Sequence, residues 1–273
     1  MNNKMTNAKV TVICCYNNKK VFDNFVKTIA QQSVPCEIIE LNNIGNQNFT
    51  SCAAAYNSVI EQVKTKYVVF SHQDILLDKP DTLEKFIGFL DIIQADDILG
   101  VAGVLFNDPK ICVYTNIHQI FGQELKYASG DYRIVENIMK CDTVDECFFG
   151  GYSEHFKNYP FDEKVCDNWH LYAVEACLKS KTTGGNVWTC NIELTHLSKG
   201  KVNIPFYRNF YAVCRKYKND FPFIRTTCAE VKTSNAGTYY FKTTLWLLLE
   251  KMHLYNFLRK ALCYDAIKKI INF

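Results

Sequence analysis

The sequence predicts an α/β fold: a mainly parallel sheet flanked by helices, with a helical extension at the C-terminus. Three observations predict it. Over the first 75 residues, short β-branched apolar runs alternate with stretches of helical periodicity. The links between these runs are short, as crossover connections require. Beyond residue 236 the pattern changes to leucines and basic side chains at helical spacing.

The first strand is residues 9–15 (KVTVICC), which end at a polar turn, Tyr16-Asn17-Asn18. Residues 20–32 carry Val21, Phe22, Phe25, Val26 and Ile29 on one helical face. A second strand spans residues 36–41, followed by a polar loop from Asn42 to Phe49. Thr50 or Ser51 caps a helix running to about Val63, and residues 66–70 form a third strand that leads directly into Ser71-His72-Gln73-Asp74. In parallel sheets, ligands sit beyond the carboxyl ends of the strands. The loops Tyr16–Asn18, Asn42–Asn48 and His72–Asp74 fall there. Neither GxGxxG nor GxxxxGK[ST] occurs, which disfavours a dinucleotide site or a P-loop.

Further along, residues 81–94 read as a helix and Ile98–Phe106 as one buried strand. Residues 107–140 read as irregular, with strand-like pieces at 111–114 and 132–135. A helix is expected over 167–180, ending near Gly184-Gly185, and a strand over 186–194 that delivers Thr195-His196. The tail, 237–273, holds six basic residues against two acidic ones, with Trp246, Leu247, Leu248, Leu249, Leu254, Phe257 and Leu258 as its apolar component. It reads as one or two basic amphipathic helices. These would cover the domain itself, join a second copy as a homodimer, or lie on a membrane surface.

Composition excludes several classes. With 48% hydrophobic and 22% charged residues, the 273-residue chain supports a large core and is not a disordered polymer. A net charge of +3 gives no electrostatic case for nucleic acid. The thirteen cysteines are odd in number and contain no CxxC pair, and Cys14 and Cys15 sit inside an apolar strand. They read as reduced, mostly buried thiols in a cytoplasm rather than a disulfide scaffold. The start, MNNKMTNAKV, lacks the apolar stretch of a signal peptide, and no apolar run approaches the length of a membrane span. The expectation is a cytoplasmic protein, at most peripheral at the inner face of the plasma membrane.

The ordered set CYNN, LNN, SCAAAYN and KYVVFSHQD resembles the nucleotide-sugar half of GT-A glycosyltransferases of the family-two type. More narrowly, it resembles the bacterial branch in which His-Gln-Asp replaces Asp-x-Asp. VDECFFGG, FDE, WHLYAVEACL and THLSKGK resemble the acceptor half, so the likeness spans roughly residues 9–217. It implies a GT-A (Rossmann-like) domain over 1–236, with a nucleotide-sugar half to about 106 and an acceptor half over 107–236, followed by the tail. The implied activity is inverting transfer of a sugar from a nucleoside diphosphate sugar, most simply UDP-linked. The implied acceptor is a hydroxyl of a glycan or lipid-linked molecule in bacterial surface polysaccharide synthesis. The implied cofactor is Mn2+ or Mg2+. The rivals are a non-catalytic sugar-nucleotide-binding or scaffold homologue and a nucleotidyltransferase; CYNN lacks the glycine-rich basic loop of the latter.

Carried over residue by residue, the resemblance places Cys15, Tyr16, Asn17 and Asn42 around the nucleobase and Asn57 near the ribose or diphosphate. His72 and Gln73 would stand beside the phosphates. Asp74, a carboxylate at a strand end, and His196 would hold the metal. Ser198, Lys199 and Lys201 would neutralise the leaving diphosphate. The general base expected on the helix after FDE meets Ala173 instead. Asp167, His170 and Glu175 are the nearby substitutes, with Asp145 and Glu146 on the segment facing the acceptor.

Overall fold

A computed structural model describes residues 8–121, 124–128, 132–198, 200 and 202–251. The chain begins as the sequence pattern dictates: β1 (Val10–Tyr16), α1 (Lys19–Ala30), β2 (Glu37–Asn42), α2 (Cys52–Ile60) and β3 (Tyr67–Ser71). Asn18 caps α1 by accepting the Val21 amide at 3.3 Å, and Ser51 caps α2 by accepting the Ala54 amide at 3.1 Å. Strand β1 pairs in parallel with both β2 and β3. Its side chains alternate between two cores: Ile13 packs with α2, while Val10, Val12 and Cys14 pack with Phe22 and Phe25 of α1.

Next come β4 (Ile75–Leu76), α3 (Thr82–Leu90), β5 (Ile98–Gly100) and β6 (Ala102–Val104). The run expected as one strand over 98–106 is therefore two. Strand β5 stays in the main sheet, while β6 leaves it for a second sheet, with Val101 at the switch donating its amide to Phe148. The stretch expected to be irregular holds β7 (Tyr114–Phe121), β8 (Glu124–Tyr127) and β9 (Ile138–Cys141); residues 111–113 and 132–135 lie outside strands. Then follow β10 (Thr143–Val144), β11 (Phe148–Tyr152), α4 (Ser153–Asn158), α5 (Tyr172–Thr182), β12 (Val187–Cys190), β13 (Glu193–His196) and α6 (Ile204–Lys216). A hairpin of β14 (Phe223–Arg225) and β15 (Glu230–Lys232) leads into α7 (Ala236–Lys251).

The main sheet has the order β2-β1-β3-β11-β5-β12-β9, and β11 and β9 run antiparallel to their neighbours. Gly150 is required where β11 crosses β3, because a Cβ there would lie 2.1 Å from the Val68 carbonyl. A second sheet, β10-β6-β7-β13-β4, brings His196 on β13 opposite Ile75 on β4, immediately after Asp74. Aromatic residues fill the core between β3 and the later helices. Phe70 meets Tyr56, Phe156, Phe161 and Phe149 at centroid distances from 4.7 to 5.3 Å. All described cysteines are free and most are buried.

Helix α7 rests on α6 through Tyr239 on Tyr207 and Tyr240 stacked on Tyr211. Its opposite face exposes Phe241, Leu245 and Leu248. Leu254, Phe257 and Leu258 of the expected tail lie outside the described residues. No helix among the described residues is long and apolar enough to cross a membrane.

Candidate active site

The carboxyl ends of β1, β2 and β3 open on one cleft of about 340 Å³. All three polar loops reach it: Cys15, Tyr16 and Asn17 from the first, Asn43 and Asn46 from the second, and His72, Gln73 and Asp74 from the third. Its other walls are Cys52 and Tyr56 of α2, Tyr172 of α5 and Trp169 just before α5. A larger cleft, about 650 Å³, lies between β15 and α7, away from these residues.

Three side chains converge at this cleft. One ligand atom each from His72, Asp74 and His196 lies within 4.8 Å of the others, the one such His/Cys/Asp/Glu group among the described residues. His196 Nε2 is 3.4 Å from Asp74 Oδ1 and 3.3 Å from Ser198 Oγ. His72 Nε2 is 3.1 Å from the Tyr172 hydroxyl, and its backbone amide donates to Cys147 of the segment leading into β11. Burial alone would raise the Asp74 carboxyl, but the hydrogen bond and charge of His196, with His72 behind, hold it well below the usual carboxylate range. Burial holds His72 below its ordinary value. Burial pulls His196 the same way, yet Asp74 outweighs it and the net shift is upward. Two imidazoles and one carboxylate make a donor set suited to a divalent ion, with His72 added to the pair expected from sequence.

The remaining residues divide sharply. Gln73 is held by the first loop: Oε1 accepts the amides of Asn17 and Asn18 at 3.2 and 2.9 Å, and Nε2 donates to Asn17 Oδ1 at 2.7 Å. It clamps β1 to β3. The Cys15 thiol is pushed up to about 12 by burial, and the Tyr16 ring is stacked on Phe22 at 4.2 Å. Asn42 does not line the cleft; its side chain accepts the Ile44 amide in a local turn. Its neighbour Asn43 is buried and shapes the loop, accepting the amides of Asn48 and Phe49 and donating to the Phe49 carbonyl. Asn57 is also turned away from the expected role. It bonds both backbone groups of Phe161 and the Glu163 carboxylate, pinning the FDE loop to α2. Lys199 and Lys201 lie outside the described residues.

The base candidates separate as well. Helix α5 begins at Tyr172, not near Asp167, because residues 167–171 form an irregular entry that ends with Leu171 at φ 69°. Glu175 does not face the cleft. Its carboxylate is fully buried and taken up by Lys216 at 2.6 Å, the Tyr217 hydroxyl at 2.8 Å and Lys179 at 3.4 Å. Asp167 is exposed and pairs with Arg208 at 2.7 Å. The His170 ring packs edge-on against Phe206, and burial lowers its pKa. Asp145 accepts the Thr227 hydroxyl at 2.7 Å and the Cys147 amide at 3.0 Å. Burial would raise it, but these bonds and the two cleft histidines bring it below its ordinary value. Sequence reasoning missed Asn43, Asn46, Cys52, Tyr56, Trp169 and Tyr172 as cleft residues. The polar Asn42–Asn48 loop was the signal for Asn43 and Asn46, and the Trp-His-Leu-Tyr entry to α5 was the signal for Trp169 and Tyr172.

Residues 11–206 match the model of a family described as "Glycosyltransferase like family". The chain belongs to this family. No curated protein matches it. Solved structures place the chain in the GT-A fold. It is similar to GalNAc-T7 with UDP, GalNAc and Mn2+ (TM-score 0.55, 8% identity, 80% of this chain and 49% of that one). It is similar to S. aureus TarS 1–349 with UDP-GlcNAc (0.52, 12%, 89% and 73%) and to the mannosyltransferase PcManGT from Pyrobaculum calidifontis with GDP-Man and Mn2+ (0.53, 12%, 95% and 79%). The chain thus spans about half of the solved GalNAc-T7 chain.

Proposed function

We propose that this glycosyltransferase moves a sugar, with inversion, from a UDP-linked donor to a hydroxyl of a glycan or lipid-linked acceptor. Its place would be the synthesis of a bacterial surface polysaccharide at the cytoplasmic face of the plasma membrane. The observation that carries the reading is the His72–Asp74–His196 group at the mouth of a cleft built from the carboxyl ends of β1, β2 and β3. The donor set favours Mn2+ over Mg2+, because imidazoles suit the softer ion. The bound ion would supply positive charge against the departing diphosphate. Cys15, Asn17, Asn43 and Asn46 line the cleft where the base would lie, and the Ser198 hydroxyl, 3.3 Å from His196, would face the phosphates. Two of the three similar structures hold UDP or a UDP-sugar, which supports uridine over guanosine. The exposed Phe241–Leu245–Leu248 face of α7 supports contact with the membrane that would carry a lipid-linked acceptor.

Calorimetry with UDP, GDP, CDP and dTDP, each with Mn2+, tests the reading. UDP should bind most tightly and only weakly without metal. Failure of all four nucleotides to bind would end it.

A further inference from the structure

The acceptor hydroxyl must lose a proton, and the position expected to take it is Ala173, fully buried in the first turn of α5. Of the acidic groups nearby, Glu175 is locked in the core, Asp167 is paired at the surface and Asp145 is saturated by Thr227 and Cys147. Glu146 differs. The segment between β10 and β11 carries it to the start of α5, where its carboxylate accepts the Leu171 amide. Leu171 adopts the left-handed region at φ 69°, a conformation that costs a leucine about 1–2 kcal/mol. This turn in the chain directs the amide at Glu146. The next residue, Tyr172, lines the cleft, donates its hydroxyl to the Glu146 carbonyl at 3.4 Å and stands 3.1 Å from His72 Nε2. Glu146 is half-buried.

We propose that Glu146 is the general base of the transfer, supplied from the β10–β11 segment in place of the missing carboxylate on α5. Its carboxylate takes the acceptor hydroxyl's proton as that oxygen bonds to the anomeric carbon. The bond from that carbon to the diphosphate breaks, and its electron pair leaves with the diphosphate. The inference rests on the transfer reading above. Burial, then the charge of Asp145, pushes the Glu146 carboxyl well above the usual range, which raises the proton affinity of its ionised form. The other titratable groups around it are Cys52, Cys166, Tyr172 and Cys228, each raised by burial and therefore neutral, so Asp145 is the one charge facing it among the described residues.

The test is Glu146→Gln, whose amide oxygen still accepts the Leu171 amide. Two measurements are made with Mn2+ present: UDP binding by calorimetry, and hydrolysis of UDP-glucose, UDP-galactose, UDP-GlcNAc and UDP-GalNAc with water as acceptor. The expected result is a kcat lower by about 10²–10⁴-fold, a UDP Kd within about twofold of wild type, and loss of the acid limb of the kcat–pH profile. If Glu146→Gln does not fold, Glu146→Asp carries the test and should keep the limb at reduced kcat. Hydrolysis within threefold of wild type overturns the proposal. So does a loss of UDP affinity in step with the rate, which marks a structural role. So does a wild type that binds UDP yet hydrolyses none of the four sugars. A wild type that binds no nucleotide removes the transfer reading and this one with it, and calorimetry alone distinguishes that case.

Discussion

Mn2+ affinity of the glycosyltransferase should rise with pH, and Asp74→Asn should remove both the affinity and its pH dependence above neutrality. His72 is held below its ordinary value by burial, so at pH 7 it is neutral and ready to ligate. Burial also lowers His196, but Asp74 at 3.4 Å outweighs burial and raises it. Metal-free protein therefore keeps a proton on the His196–Asp74 pair to a higher pH than the ordinary histidine value of about 6.5. An imidazolium cannot ligate, so binding must expel that proton. The sign follows. Below the raised pKa, affinity falls by up to about tenfold per pH unit; above it, affinity levels off. Replacing Asp74 by Asn removes the reason for the raised value, and burial then drives His196 below 6.5, so the slope moves out of the neutral range. The same change deletes the one anionic ligand. Affinity at pH 8 should fall by more than the roughly 10–100-fold that outer-shell changes cost. The fold should survive, because the Asp74 backbone carbonyl, not its side chain, takes the Leu197 amide. Calorimetric Mn2+ titrations at pH 6, 7 and 8, in buffers of different ionisation enthalpy, count the protons released. A wild-type Kd that is flat from pH 6 to 8 without proton release, or an Asp74→Asn Kd within threefold of wild type, would refute the reasoning.

Lys216→Met should destabilise the protein by about 1–3 kcal/mol, since it removes the nearer of the two lysines from the fully buried Glu175 carboxylate and leaves it to Lys179 and Tyr217; adding Glu175→Gln should recover much of that loss, and urea unfolding giving less than about 0.5 kcal/mol for the single change would show the pair to be idle. Changing Phe241, Leu245 and Leu248 together to Gln should release the protein from vesicles containing anionic lipid without lowering its unfolding midpoint. A wild type that never floats but turns from dimer to monomer on this change would assign the face to a second copy. UDP and Mn2+ should each strengthen the other's binding by the same factor, on the order of 5–150-fold, and independent binding would contradict a shared site.

The first 75 residues were legible because their signals are local. β-branched runs, a Ser51 cap and polar strand ends fix β1 to β3 and the cleft they open on. The strands after α3 were not, because they are defined by partners far along the chain. Ile98–Phe106 is uniformly apolar whether it is one strand or two, and only pairing of β6 with β7 and β10 shows the switch. Asn57 and Glu175 show the same limit in the site. A polar side chain on a helix gives no sign of whether it meets a ligand, as expected for both, or the Phe161 backbone and Lys216 instead. Asp74 and His196 are separated by over a hundred residues, and the antiparallel register of β13 with β4 is what brings them together.

The departures from the acidic metal motif of the resembling family shift charge in one direction. Two carboxylates would neutralise a divalent ion, whereas two neutral imidazoles and Asp74 would leave it with a formal charge of about +1. Such an ion would be held less firmly by the protein alone and would attract a diphosphate more strongly. Gln73 fits the same scheme. As an aspartate it would add a second negative charge beside Asp74; as an amide it bonds Asn17 and Asn18, tying the first loop to the third without adding charge. Asp74 is the one acidic side chain lining the cleft among the described residues, and Ala173 stands where α5 would have carried another carboxylate. The cleft is therefore poor in negative charge where a nucleoside diphosphate would bring its own, so the substrate itself would complete the coordination that the protein leaves open.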